Sequence, residues 1–163
     1  MKVDIFKEAM ANYPTGISIV TSNDEQGNPI GLTVNSFASV SLDPLLILWS
    51  IDNRVSTYEA FKKADKFAVN ILANDQAEIA KLFASSLSNQ ERFEGCDWNS
   101  SAYQLPIIKN AVASLQCKTF QQVQAGDHII FIGEVIEIDI EKRQPLLYHR
   151  RKMGGFPESF HES

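Results

Sequence analysis

The chain is poor in the residues that usually mark a staple or a specialised site. Only two cysteines occur in 163 residues, Cys96 and Cys117, with no C-x-x-C spacing. Both are expected as reduced, small apolar side chains, which suits a cytoplasmic protein and excludes a disulfide framework. The three histidines, His128, His149 and His161, are too scattered to suggest a metal site. There is no Walker A loop, no G-x-G-x-x-G, no H-E-x-x-H and no G-x-S-x-G. No segment approaches the roughly 20 apolar residues that span a bilayer. Charges at Lys2, Asp4, Lys7 and Glu8 interrupt the start of the chain, where a signal peptide needs an apolar run. There is no basic surplus either: 15 Lys and Arg stand against 20 Asp and Glu, a formal charge of -5, so no nucleic-acid partner is expected. No repeat, low-complexity tract or linker divides the chain, and a single domain over 1–163 is expected. An enzyme so short of catalytic motifs would draw its hard chemistry from an organic cofactor.

What is present is ordinary globular composition, 44% apolar and 21% charged. Phe6, Ala9, Met10 and Tyr13 recur at helical spacing, predicting an amphipathic helix that ends before Pro14. Residues 16–21 alternate as a strand. The turn formers of 23–29 predict a hairpin loop, with a return strand over 30–34. Further strands are expected over 37–42, 45–49 and 67–72. Ser56-Thr57-Tyr58-Glu59 has the form of a capping box before a helix over 57–63, and Asp75-Gln76-Ala77-Glu78 repeats it before a helix carrying Ile79, Leu82 and Phe83. Residues 85–108 read as a long irregular loop with a short helix. Strands follow over 111–123 and 128–140, joined by a turn at 124–127. In the last strand Ile130, Ile132, Ile136, Ile138 and Ile140 share a face with Glu134. Either a bulge near Gly133 turns Glu134 outward, or Glu134 is partly buried, paired with a basic group or lining a site. Many short strands with peripheral helices imply a mainly β fold, an antiparallel barrel or sandwich.

The most informative stretch is Gly31-Leu32-Thr33-Val34-Asn35-Ser36-Phe37-Ala38-Ser39-Val40-Ser41-Leu42-Asp43-Pro44. Hydroxyls and an amide alternate with apolar residues at a strand junction. A flat heteroaromatic ring needs such a wall, apolar against its face and polar at its rim. By composition alone the same alternation also describes an exposed sheet face.

The segment resembles the signature of the flavin reductase family, the FMN-binding split-barrel enzymes that supply reduced flavin to two-component monooxygenases, which runs T-x-N-S-F-x-S-V-S-x-D-P-P. Similar matches occur in the family's order at Pro14-Thr15-Gly16, Ser56-Thr57-Tyr58, Phe67 to Leu72, Gly126 to Val135 and Pro145 to Arg151. The resemblance implies an antiparallel split β-barrel of Greek-key type with short peripheral helices. It implies a homodimer with flavin near the interface, FMN or FAD as cofactor, and NADH or NADPH as co-substrate. Thr33, Val34, Asn35 and Ser36 would line the isoalloxazine, with Ser39 close by. Ser50, Ile51 and Asp52 would lie beside the ribityl chain, and Ser56 and Thr57 would meet the phosphate, an assignment that a helix start there supports independently. Arg54 would add charge. Phe83 and Ala84 match a position near the flavin, though helical apolar residues are commonly core. His128 matches a histidine near the nicotinamide and would be catalytic; Tyr148, His149, Arg150 and Arg151 match the segment that meets NAD(P)H. Two departures stand out. Leu45 replaces a second proline, and Arg151-Lys152-Met153-Gly154-Gly155 replaces an aromatic-glycine ending.

Hydride transfer needs no dedicated base, only a nicotinamide C4 and a flavin N5 stacked roughly 3–3.5 Å apart. The implied activity is NAD(P)H:flavin oxidoreduction, with a flavin-dependent monooxygenase as possible partner. Two alternatives stand beside it: a non-catalytic FMN-binding electron carrier, and a barrel that binds another planar ligand such as haem. Turnover with free flavin separates the first, and an absorption spectrum the second.

Overall fold

The computed structural model describes residues 1–161; Glu162 and Ser163, the end of the expected domain, lie outside the described residues. The chain runs through α1 (Lys2–Ala11), β1 (Thr15–Gly16), β2 (Ser18–Asn23), β3 (Pro29–Val34), β4 (Ala38–Leu42) and β5 (Leu45–Asp52). It continues with α2 (Tyr58–Lys63), β6 (Lys66–Ile71), α3 (Ala77–Leu82), α4 (Asn89–Glu94), β7 (Trp98–Ser100) and β8 (Pro106–Ile108). The last elements are β9 (Ala113–Ala125), β10 (His128–Ile140), β11 (Leu147–His149) and β12 (Lys152–Gly154), and a 3₁₀ turn at Glu158–Phe160 follows.

The mainly β expectation holds. Seven strands form one antiparallel sheet in the order β3-β2-β6-β9-β10-β5-β4, and β1, β11 and β12 form a smaller one. The strand expected over 16–21 is divided at Ile17, with β1 and β2 in different sheets. The loop expected over 85–108 holds its short helix, α4, but also the hairpin of β7 and β8.

The sheet curls so that β3 and β5, distant in strand order, pack around one core. Val20, Val34, Trp49, Phe61, Phe67, Ile129 and Phe131 meet there, with Trp49 stacked on Phe131 at 4.8 Å between ring centroids. A second core lies on the other face, where Ile17, Ile19, Leu72, Ala80, Phe83, Phe93 and Leu146 pack. Neighbours in β2 therefore serve opposite cores, Ile19 the second and Val20 the first, as alternation along a doubly covered strand requires. Asn70, fully buried in β6, fits because its amide is saturated. Nδ2 donates to the Ile19 carbonyl at 2.9 Å and to Thr21 Oγ1, and Oδ1 accepts from the Ile108 N–H and from Ser114 Oγ.

Both expected capping boxes are absent. Thr57 caps α2 and Gln76 caps α3, and neither side chain accepts a bond from its helix. The chain enters α2 through successive turns, Val55 N–H to the Asp52 carbonyl and Tyr58 N–H to the Val55 carbonyl. That leaves Ser56 one residue ahead of the cap and exposed. Gln76 is drawn away to the Ala73 N–H and the Lys109 carbonyl. A capping box does form at α4, between Ser88 and Glu91.

Glu134 meets each expected reading only in part: it is half-buried, and a register irregularity does fall beside Gly133. The ladder of β10 against β5 runs unbroken through Gly133 and Glu134, and the irregularity after Ile132 lies in the pairing with β9, which skips Phe120. Glu134 stays in the isoleucine row and forms no ion pair among the described residues. The core takes the other row, Ile129, Phe131 and Gly133, so Ile130 and Ile132 face outward with Glu134; a second irregularity skips Ile136 against β9 and sets Ile138 opposite Leu115, which packs on the first core, so the expected single face of five isoleucines is broken. Gly133 is required there, because a Cβ would stand 2.5 Å from the Phe67 ring.

Candidate functional site

A cleft of about 800 Å³ opens where α1, β1, the β3–β4 junction and the β10 start converge. Its walls include Phe6 and Met10 of α1, Tyr13 just beyond that helix, Thr15, Asn35, Ser36, Phe37, Ser50 and His128. A narrower groove of about 250 Å³ lies on the other side of Asn35, lined by Thr33, Val34, Lys81, Ala84, Tyr148 and Met153 among others. Asn35 borders both hollows. The first is within the size range of small-molecule sites, with apolar faces and a few polar rims.

The structure gathers much of the expected set. Thr33, Val34, Asn35, Ser36, Ser50, Ala84, His128 and Tyr148 all line one hollow or the other. Several are already engaged. Thr33 Oγ1 donates to the Ala80 carbonyl at 2.6 Å, and the Thr33 N–H reaches the Phe83 carbonyl. Ser36 Oγ donates to the Ser50 carbonyl and accepts the Ser50 N–H, at 3.1 and 3.0 Å, so it rivets the β3–β4 junction onto β5. Asn35 is the exposed amide between them.

Other expected residues stand apart. Ser39 is exposed on β4 and lines neither hollow. Ile51 points into the first core and Phe83 into the second. Phe83 sits so close to Gly31 that a Cβ there would be 2.6 Å from its ring. Asp52 is held by Arg54 through both carboxylate oxygens, at 3.0 and 2.6 Å, which pushes its carboxyl well below the usual range. Arg54 is therefore committed to Asp52. Neither Ser56 nor Thr57 lines the hollows, and Thr57 Oγ1 is buried without a partner. At the C-terminal segment, Arg150 turns to α1, donating to Glu8 and Asn12. Arg150 and Arg151 take φ of 50° and 65° in the tight turn between β11 and β12, so the basic residues do not converge on the cleft.

Sequence reasoning missed three contributors. Thr15 sits in the cleft wall with a buried, unpartnered hydroxyl. Phe6 and Met10 of α1, with Tyr13 beyond its end, form a wall instead of a buried helix face. Lys81 brings a cation to the groove, paired with Glu78 at 3.2 Å. The signals were present, in Pro14-Thr15-Gly16 and in the helical periodicities, but no local pattern says which hollow an exposed face borders.

These residues fit a flavin. The cleft offers apolar walls for ring faces, and at its rim an unsatisfied hydroxyl, a free amide and an imidazole.

Comparison with known proteins gives the same answer. The flavin reductase-like domain model matches residues 10–157. The reductase component of a flavin-dependent trigonelline monooxygenase from Acinetobacter baylyi is 43% identical over 82% of this chain, which spans only 43% of that protein's length. The NADH-dependent FMN reductase SmoA of Agrobacterium fabrum is 37% identical over 93% of this chain and 84% of its own. The solved NADH:FAD oxidoreductase of Streptomyces globisporus, in complex with NAD and FAD fragments, superposes with a TM-score of 0.89 at 30% identity, covering 98% of this chain and 95% of that one. With most of its length matched in sequence and in fold, the chain belongs to the flavin reductase-like family.

Proposed function

We propose that this chain is an NAD(P)H:flavin oxidoreductase that passes hydride from a reduced nicotinamide to FMN or FAD held in the cleft at Asn35. The observation that carries the reading is the placement of Thr33, Asn35, Ser36, Ser50 and His128, scattered over nearly 100 residues, around that cleft and its adjoining groove. A bound flavin supplies the hydride acceptor. The chain's own groups hold, orient and shield: Val34 and Phe37 give apolar contact, Asn35 and Thr15 offer polar rims, and Lys81 at the groove meets a phosphate in place of Ser56 and Thr57. His128, at the mouth, contacts the nicotinamide. Hydride transfer between stacked rings needs alignment more than proton movement, which suits a cleft that holds and orients.

The open seven-stranded sheet is read as a split barrel within a single domain, paired as a homodimer. The reductase-component relative supports a monooxygenase as recipient of the reduced flavin. None of the described helices is long and apolar enough to cross a membrane, and a cytoplasmic location is part of the proposal.

The test is steady-state oxidation of NADH and NADPH with added FMN or FAD. Turnover that depends on free flavin is expected. Flavin bound without turnover would replace the reading by that of an electron carrier, and no flavin binding would remove it.

A further inference from the structure

The turn that starts β10 is fixed from several sides. Gly126 takes a φ of 62°, the Asp127 carbonyl accepts the Asn53 N–H at 2.9 Å, and Gln124 Nε2 donates to the carbonyls of Gly126 and His128. The backbone of Asp127 is thereby held, and its carboxylate meets the His128 ring, with Oδ1 at 2.7 Å from Nδ1. The charged groups around the imidazole are few. Asp52 lies directly across the ladder on β5, but Arg54 occupies both of its oxygens. Arg54 Nη2 also stands 3.8 Å from Asp127 Oδ2, and Tyr13, just beyond α1, lines the same cleft. Asp127 thus has one oxygen near a shared guanidinium and the other on imidazole Nδ1.

A carboxylate only accepts, so Nδ1 must carry the hydrogen. In a neutral imidazole that leaves Nε2, on the far edge of the ring, as a bare acceptor. We propose that Asp127 is a positioning residue: it holds His128 in the Nδ1–H tautomer, so that Nε2 accepts a hydrogen bond from the carboxamide N–H of the incoming reduced nicotinamide. The inference rests on the nicotinamide reading of His128 given above and assigns the group that makes that contact directional. An imidazole in the opposite tautomer would present a donor to a donor and turn the carboxamide away.

Long-range ¹H–¹⁵N correlation of the imidazoles in the labelled full chain, at about pH 8 where an ordinary histidine is neutral, reads the tautomer directly. His128 is expected as Nδ1–H in the native protein and mainly as Nε2–H in Asp127→Ala, with D127N between them because its amide oxygen still accepts. Single-turnover reduction of bound flavin by NADH should slow about tenfold in D127A, a modest factor because the pair is half exposed, with flavin affinity unchanged. The double variant D127A/H128A should be no slower than H128A alone. A native Nε2–H tautomer, or additive losses in the double variant, overturns the proposal. So does a normal reduction rate in D127A while H128A is slow. If H128A itself reduces flavin at the native rate, the nicotinamide reading of His128 falls first, and this inference with it. The tautomer measurement needs only folded protein, so a poorly active variant still gives an answer.

Discussion

Asn70 carries no chemistry of its own, yet its four hydrogen bonds join β2, β6, β8 and β9 inside a dry interior. Replacing it by Leu keeps the volume but removes the partner of the Ile108 N–H and of the Ser114 hydroxyl and a bond to the Ile19 carbonyl, while the Thr21 hydroxyl keeps the Pro106 carbonyl. Urea unfolding of Asn70→Leu should show a loss of about 3 kcal/mol, the scale of several buried polar groups left unsatisfied. A loss near zero would mean water reaches the site. The cysteines occupy the opposite extreme. Burial pushes the Cys117 thiol up to about 12 and Cys96 to about 11, so both are poor nucleophiles near neutrality, in keeping with the inert apolar role the sequence assigned them. Arg92 could not have been read from sequence. It is a buried cation whose Nη1 and Nη2 hold the carbonyls of Gly31 and Ser85. Together with Asn89, which accepts the Gly31 N–H, it covers the outer edge of β3 and ties α4 beside the groove.

At the level of elements, α1 shows what periodicity can and cannot say. Its stripe predicted a helix, and the helix is there, but none of its residues is buried in this chain. What attaches it is polar: the Arg150 N–H to the Ala11 carbonyl, and the Arg150 guanidinium to Glu8 and Asn12. That ion pair lowers the Glu8 carboxyl below its usual 4.5. A group depressed in the folded state contributes its stabilisation above its unfolded value and loses it as pH falls through the lower folded one. Protection factors for amide exchange over 2–11, corrected for the intrinsic rate at each pH, should therefore fall as pH drops below about 4.5, and Arg150→Ala should show the lower protection already at neutral pH, with the sheet protected in both. Equal protection in R150A would show that the clamp does not hold the helix. Strand length decides which elements are legible: β9 and β10 announce themselves over 13 residues each, whereas β7 and β8 are three residues each, too short for a period to show. Within the candidate site, Asn35 and His128, named from two separate motif segments, both border the cleft. Sequence reasoning overcounted Ile51 and Phe83, whose side chains turn into the cores, because lying beside a motif does not set which way a strand or helix residue points.

Across the whole molecule, the two sides of the seven-stranded sheet are treated unequally. β2 and β6 are covered on both faces, but the outer face of β10 and β5 is left as a row of Ile130, Ile132, Leu46 and Leu48, half-buried, with Val40 of the edge strand β4 at 47% exposure. β4 is also a free edge of that sheet. An apolar sheet face bordered by an unpaired strand is an association surface or a liability, and in a stable protein it is covered. The homodimer proposed above would cover it with the same patch on both sides, the self-complementary arrangement of a two-fold dimer. Glu134 in the middle of the row then has a purpose, because its cross-strand neighbour Lys118 lies on the same face and an interface of two such pairs balances its own charge. Light scattering behind a sizing column should find a dimer in the native protein and a folded monomer in Ile132→Glu, which places a second carboxylate two residues from Glu134 on the same face. The cleft borders this half of the sheet through Ser50 and His128, so the monomer should bind flavin more weakly as well. A dimer that survives I132E unchanged would show that the isoleucine row is not the contact.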